Sequence, residues 1–157
     1  MNTILSMQGI FKSFGGVHAL VDVHLDVARG EIHALLGENG AGKSTLMNIL
    51  TGVVPMDRGH IEFDGKTYDQ PTIRQMEEAG IAFVHQELSV INDLTVYENI
   101  FLNREIQNKW HILDKKQMIA QTRDLFSRLG VDMDPMVMVS ELKTSEKQLL
   151  EICRALH

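Results

Sequence analysis

The sequence predicts an α/β fold, and three observations carry that prediction. Gly37 to Thr45 read G-E-N-G-A-G-K-S-T, a glycine-rich loop set between a short apolar run and a helix-like run. The first part, to about residue 90, is rich in strand patterns and carries the loop, and from 91 onward the patterning is helical. Turn dipeptides and glycine stops fall between the segments, where chain reversals and helix ends are required.

The elements follow in chain order. Ile4 to Phe11 is a modest strand candidate. Val21, Val23, Leu25 and Val27 alternate with Asp22, His24 and Asp26, the period of two expected of a half-buried strand. After the turn at Arg29-Gly30, the apolar run Ile32, Ala34, Leu35 and Leu36 reads as the strand that feeds the glycine loop. Leu46, Ile49 and Leu50 then recur at helical spacing, with Gly52 as the stop. Pro55 to Gly59 make a turn. His60 to Phe63 and Lys66 to Tyr68 flank Asp64-Gly65, a two-residue hairpin signal. Thr72 to Ala79 form a short helix ending at Gly80, and Ile81 to Val84 read as a buried strand.

The helical half opens with a capping box at Thr95-Val96-Tyr97-Glu98, and a second is spelled by Asp114 to Gln117. A helix from Lys115 to Leu129 closes at Gly130. From about Ser145 the last helix sets Leu149, Ile152, Cys153 and Leu156 on one face, the expected core face.

The loop is where chemistry is spelled out. Gly37, Gly40 and Gly42 allow backbone conformations closed to other residues, so that N–H groups can turn inward around an anion. The helix that follows adds its N-terminal dipole, equivalent to roughly half a positive charge. Lys43 is placed to reach β- and γ-phosphates, and the Ser44 hydroxyl to ligate Mg²⁺. Strand, glycine loop and helix together read as a nucleoside-triphosphate site.

Composition narrows the class. A chain of 157 residues can bury about 68–70% of its unfolded surface, enough for a modest core. The net charge of −6 argues against a nucleic-acid-coating surface. Cys153 is the single cysteine, which excludes an internal disulfide and suits a reducing compartment. The nine methionines are scattered as core filler, and the seven histidines show no paired metal spacing. No apolar run approaches the ~20 residues of a membrane span, and Met1 to Ser6 do not open a secretory signal. A cytoplasmic protein is expected.

Two further stretches separate this chain from other phosphate-loop proteins. F-V-H-Q-E-L at Phe83 to Leu88 puts Gln86 just past an apolar run, and L-K-T-S-E-K-Q at Leu142 to Gln148 precedes an amphipathic helix. In that order, phosphate loop, glutamine loop and signature motif, the chain resembles the nucleotide-binding domain of ABC transporters. G-E-I-H-A-L-L-G-E-N-G-A-G-K-S-T-L-M at Gly30 to Met47, H-Q-E-L, and E-N-I-F-L at Glu98 to Leu102 resemble the ATP-binding subunits of bacterial ribose-, galactose- and xylose-type importers. The resemblance runs from Ile10 to the end. It implies an incomplete P-loop NTPase core with N-terminal antiparallel β-strands and an ABC-type helical subdomain. Residues 1–90 would carry the phosphate loop, and 91–157 the subdomain ending in the signature helix.

The resemblance also implies roles. Phe14, in K-S-F-G-G-V-H-A-L, matches the aromatic that stacks on adenine, its plain alternative being a partly buried strand phenylalanine. Asn39, Gly40, Gly42, Lys43, Ser44 and Thr45 would hold the phosphates of ATP and its Mg²⁺. Gln86 would contact Mg²⁺ and the attacking water, the alternative being a solvent-facing amide. Glu87 to Asn103 would face the permease.

Leu142, Lys143, Thr144, Ser145 and Glu146 stand where the family reads L-S-G-G-Q, a motif that grips the γ-phosphate bound by the opposite domain. Lys143 replaces the serine, Ser145 the second glycine and Glu146 the glutamine, so a weakened composite site is expected. The alternative is an ordinary helix start capped by Thr144 or Ser145.

The family's Walker B strand, its Asp and the adjoining catalytic Glu follow the signature, and none is present before His157. The sequence therefore reads as the front portion of one domain, with no catalytic base to name. As an isolated piece it is expected to be inactive and prone to association along unpaired apolar edges.

Function is accordingly expected as the ATP-binding subunit of a bacterial sugar importer. It would sit peripherally on the cytoplasmic face of the inner membrane, paired with a second nucleotide-binding domain and permease subunits and served indirectly by a sugar-binding protein. The other reading is a nucleotide-holding fragment or interaction module that does not hydrolyse. An ABC protein of DNA repair or translation is disfavoured by the acidic balance and the H-Q-E-L wording.

Overall fold

The computed structural model describes residues 2–84 and 88–157. The chain divides into two compact units, Met1–Ala82 and Phe83–His157. The sequence reading places the change of character near Val90, within the second unit.

The first unit is built on an antiparallel sheet with strand order β2-β1-β3-β4. Strand β1 (Thr3–Phe14) pairs with β2 (Val17–Ala28) on one side and with β3 (Arg58–Phe63) on the other. Strand β4 (Lys66–Tyr68) closes the hairpin with β3. The hairpin signal holds: Asp64 and Gly65 have φ of 49° and 76°, the paired left-handed conformations of a turn that matches strand twist.

The alternation in β2 shifts partway. Leu20, Val23, Leu25 and Val27 turn toward the core while Val21 is 59% exposed. The reason is an irregularity in the β1–β2 register around Asp22, whose φ is 52°; the extra residue moves every side chain before it by one face.

Helices α1 (Lys43–Leu50) and α2 (Ile73–Ala79) complete this unit. Helix α1 stops just before Gly52, and α2 runs from the Thr72–Gln75 capping box to Gly80, as the sequence predicts. One core joins sheet and helices, with Met7, Ile10, Ile49, Ile61 and Met76 almost completely buried.

Two expected strands do not form. Residues 32–36 and 81–84 have no strand assignment, and Ile32 and Leu36 are 99% and 88% exposed. Phe83 and Val84 are also well exposed, so 81–84 is not the buried strand the apolar run suggested. A strand is defined by its ladder, and the sheet of the described residues, β2-β1-β3-β4, includes neither segment.

The second unit is helical. It holds α3 (Val96–Ile100), α4 (Lys115–Leu129), a 3₁₀ turn at Val139–Glu141 and α5 (Thr144–Leu156). The caps fall where predicted. The Glu98 carboxylate accepts from the Thr95 N–H at 2.9 Å, and Asp114 accepts from the Gln117 N–H at 3.0 Å. Helix α4 closes at Gly130. Val96, Ile100, Phe101, Val139, Leu150 and Cys153 form the buried centre.

The face assigned to α5 needs correction. Leu150, Glu151 and Cys153 are buried, whereas Leu149, Ile152 and Leu156 are 37%, 44% and 60% exposed. Leu149 and Leu150 are adjacent apolar residues, so the pattern allows two faces about 100° apart; packing against α3 and α4 selects the one with Leu150.

Candidate functional site

The phosphate loop occupies residues 37–45 and leads into α1 at Lys43. Gly42 is the residue immediately before the helix, with φ of 87°. A Cβ there would lie 2.7 Å from both the Ala19 carbonyl oxygen and Leu20 Cδ2. Glycine is therefore required twice over, for its left-handed backbone and for the close seat of the loop against β2.

The Lys43 side chain folds back over the loop. Its ammonium donates to the Gly37 carbonyl at 2.6 Å and to the Glu38 carbonyl at 2.7 Å, and the Ala41 N–H donates to the Glu38 carbonyl at 3.2 Å. The cation is thus held at the loop's own centre. Asn39, Gly40 and Ser44 are exposed and Thr45 is half-buried, leaving their polar groups accessible to a ligand. A loop curled around an ammonium, at a helix start, suits a phosphate chain and the oxygen-ligated Mg²⁺ that accompanies it.

Phe14 ends β1 and pairs with Val17, two residues before Ala19, whose carbonyl faces Gly42. That separation is about 7 Å along the strand. The hairpin end carrying Phe14 and the end of the phosphate loop are therefore held by the same stretch of β2. The Phe14 ring is 48% exposed rather than buried as a core phenylalanine would be.

Sequence reasoning missed the groups behind that ring. The Lys12 ammonium lies 5.3 Å from the Phe14 ring centroid and donates to Asp57 at 2.9 Å. The Asp57 carboxylate also accepts from the Ser13 N–H at 2.7 Å. The lysine hydrogen bond first, and the backbone one second, hold the Asp57 carboxyl below its ordinary range. Positions 12 and 57 are far apart in sequence, and no local pattern announces the pair.

The signature segment lies in the second unit. Leu142 is half-buried, Lys143, Thr144 and Ser145 are exposed, and Glu146 is half-buried. The cap of α5 is not the Thr144 or Ser145 hydroxyl of the alternative reading: the Glu146 carboxylate reaches back to accept from the Lys143 N–H at 2.7 Å. Glu146 thereby satisfies one of the unpaired donors of the helix start. Gln86 lies outside the described residues.

Comparison with known proteins adds a history to this geometry. Residues 20–157 match the family model described as ABC transporter. The chain is 47% identical, over 156 residues, to ribose import ATP-binding protein RbsA 2 of Burkholderia cenocepacia, covering 99% of this chain and 31% of that protein. It is 48% identical over 154 residues to ribose import ATP-binding protein RbsA of Clostridium perfringens, with 98% and 31% covered. The chain thus spans under a third of the length of these relatives. Among solved structures, a nucleotide-free ATP-binding cassette from an ABC transporter superposes with a TM-score of 0.82 at 27% identity, covering 98% of this chain and 64% of that one. An ADP-bound ATP-binding cassette of an ABC transporter gives 0.80 at 28% identity, covering 99% and 65%.

Proposed function

This chain belongs to the ABC transporter family, and from that premise we propose that it binds Mg-ATP as part of the ATP-binding subunit of a bacterial sugar importer. The observation that carries the proposal is the Lys43 ammonium held against the Gly37 and Glu38 carbonyls by a loop whose Gly42 tolerates no side chain. The relatives' names point to ribose as the first sugar to try.

In this reading Lys43 exchanges its two carbonyl contacts for phosphate oxygens, a charge-assisted interaction stronger than the neutral ones it leaves. Backbone N–H groups of the loop and the dipole of α1 would neutralise the phosphates further. Ser44 would hold Mg²⁺, which when bound would neutralise charge on the terminal phosphate. Phe14 offers its exposed face to the base, while Lys12 sits by the ring. Leu142 to Glu146 would serve the nucleotide held by a second nucleotide-binding domain. Permease subunits would contact the helical unit, placing the protein peripherally on the cytoplasmic face of the membrane. Among the described residues no helix is long and apolar enough to cross a membrane.

We also propose that these 157 residues alone hold ATP without turning it over. Hydrolysis needs a base near the attacking water, and none of the residues assigned to the phosphates is a carboxylate.

Calorimetric titration of Mg-ATP into the protein, beside Lys43→Ala, tests the binding. Saturable heat from the unsubstituted protein and none from the variant is expected. Equal heats, or silence from both on folded material, would end the proposal. Uptake of labelled ribose by cells lacking and then regaining the full-length gene tests the transport role.

A further inference from the structure

Asp57 holds three successive residues of β1. Its N–H donates to the Phe11 carbonyl at 2.9 Å, its Oδ1 accepts from the Lys12 ammonium at 2.9 Å, and its Oδ2 accepts from the Ser13 N–H at 2.7 Å. The turn that carries Asp57 is pinned in its own right, because the Gln70 side-chain amide donates to the Met56 carbonyl at 2.9 Å. Toward β2, the Ser13 hydroxyl and His18 Nδ1 stand 2.9 Å apart across the hairpin. Phe14 is the next residue along and ends the strand, so the backbone leading to its ring is tied on both sides.

Lys12 is the unusual member of this group. It is 8% exposed, and a lysine is seldom so deeply buried unless its charge is answered. An ion pair gains little net stability from burial, because both charges lose water. What burial adds here is position. The ammonium lies over the Phe14 ring, 5.3 Å from the centroid and inside the ~6 Å reach of a cation–π contact.

A ring has two faces, and the ammonium takes one of them. Phe14 still keeps nearly half its surface in solvent. A cation on one face draws π density toward itself and lowers the repulsion that a stacked heterocycle meets on the other. It also limits the orientations open to the ring before a ligand arrives, which reduces the ordering cost of binding.

We propose that Lys12, clamped by Asp57, is a positioning residue for base recognition: it holds the Phe14 ring as a platform with one face free for the base of the nucleotide. This role rests on the nucleotide reading above, and every residue it needs lies in the first unit. Its effect falls on the base rather than on the phosphates.

Calorimetric titrations with Mg-ATP and with Mg-tripolyphosphate, which lacks base and sugar, separate the two contributions. Changes at the phosphates cancel from the ratio of the two affinities. In the unsubstituted protein ATP should bind about tenfold or more tightly than tripolyphosphate. Lys12→Met, which fills similar space without charge, should cut that ratio at least about threefold, while Lys12→Arg, which keeps a cation by the ring, should preserve it. Phe14→Ala should bring the ratio close to one. The Asp57 side chain is 43% exposed, so water can replace the ammonium and Lys12→Met should still fold. An unchanged ratio in Lys12→Met, or an equal loss in Lys12→Arg, would overturn the proposal. A ratio near one in the unsubstituted protein would also overturn it, while the tripolyphosphate heat would leave the phosphate loop's role standing. Silence with both ligands would overturn the nucleotide reading instead, and a ligand-free measurement then decides the platform. NMR relaxation of an isotope-labelled Phe14 ring should report higher order in the unsubstituted protein and in Lys12→Arg than in Lys12→Met. Equal order in all three refutes it.

Discussion

Asp57 and Lys12 meet at 2.9 Å, joining the turn before β3 to the strand that ends in Phe14. Lys12 is buried and charged, so its ammonium needs this partner, and the same ammonium lies by the Phe14 ring. The pair thus stands directly behind an exposed aromatic.

The pair should make stability acid-sensitive. Lys12, then the Ser13 N–H, lowers the Asp57 carboxyl below its unfolded value of about 4. A depressed carboxyl contributes stability that is present above the unfolded value and is lost as pH falls through the folded one. Urea midpoints measured between pH 7 and pH 2.5 should therefore drop less steeply in Asp57→Asn than in the unsubstituted protein, with the variant weaker near neutrality. Parallel curves would show that the pair contributes nothing.

Gly42 and Lys43 are neighbours with separable roles. Gly42→Ala forces a left-handed side chain against Ala19 and Leu20, at a cost of about 1–2 kcal/mol for the backbone and about 1–3 kcal/mol for crowding. Thermal melts should show a clearly lowered midpoint, together with lost Mg-ATP binding. Lys43→Ala removes two exposed hydrogen bonds to loop carbonyls and should leave the midpoint within a few degrees. Its Mg-ATP binding should be lost all the same. A large drop in midpoint for Lys43→Ala would mean the ammonium is chiefly a structural strut.

What the sequence made legible was local. Thr72 and Gly80 bound α2, Asp114 and Gly130 bound α4, and Asp64-Gly65 turns the hairpin, because each signal acts within one turn of its own residue. The phosphate loop is legible for the same reason: its glycines, lysine and serine are contiguous. Long-range facts were not. Ile32 to Leu36 read as a strand by apolarity, yet a ladder needs a partner that residue pattern cannot supply. The Lys12–Asp57 pair and the burial of Glu151 against Ser89 join positions 45 and 62 apart, beyond any periodicity. Glu151 lies between apolar neighbours and would be taken for a solvent-facing charge.

Cys153 is now assigned to the core of the helical unit, completely buried beside Leu150. Burial pushes its thiol above the ordinary value, so the nucleophilic thiolate is scarce at neutral pH. Iodoacetamide at pH 7.5 should label the folded protein at least about a hundredfold more slowly than the urea-unfolded chain, its rate set by opening of α5. The raised value also fixes a sign: the unfolded chain ionises first, so stability contributed here is present below about pH 8.5 and is lost as pH climbs through the folded value. Cys153→Ser should flatten that alkaline decline, though it lowers stability everywhere by burying a hydroxyl.

If the segment 142–146 serves a partner's nucleotide, as the proposed function has it, Lys143 sets how well it does so. It stands exposed just before α5, its N–H already taken by Glu146, so its side chain is free of any capping duty. A serine hydroxyl there would donate a short, fixed hydrogen bond to a charged phosphate, worth about 1.5–3 kcal/mol, which a long ammonium delivers less directionally. Lys143→Ser in the full-length protein should raise ATP turnover about tenfold or more while leaving the first-order binding of Mg-ATP to the phosphate loop unchanged. Glu146→Gln offers the complementary case, removing a negative charge near the phosphate while Oε1 of the new amide can still cap Lys143. If turnover rises in both and most in the double variant, the segment works as a γ-phosphate clamp; if neither changes it, the segment is an ordinary helix start and the departure from L-S-G-G-Q is without consequence.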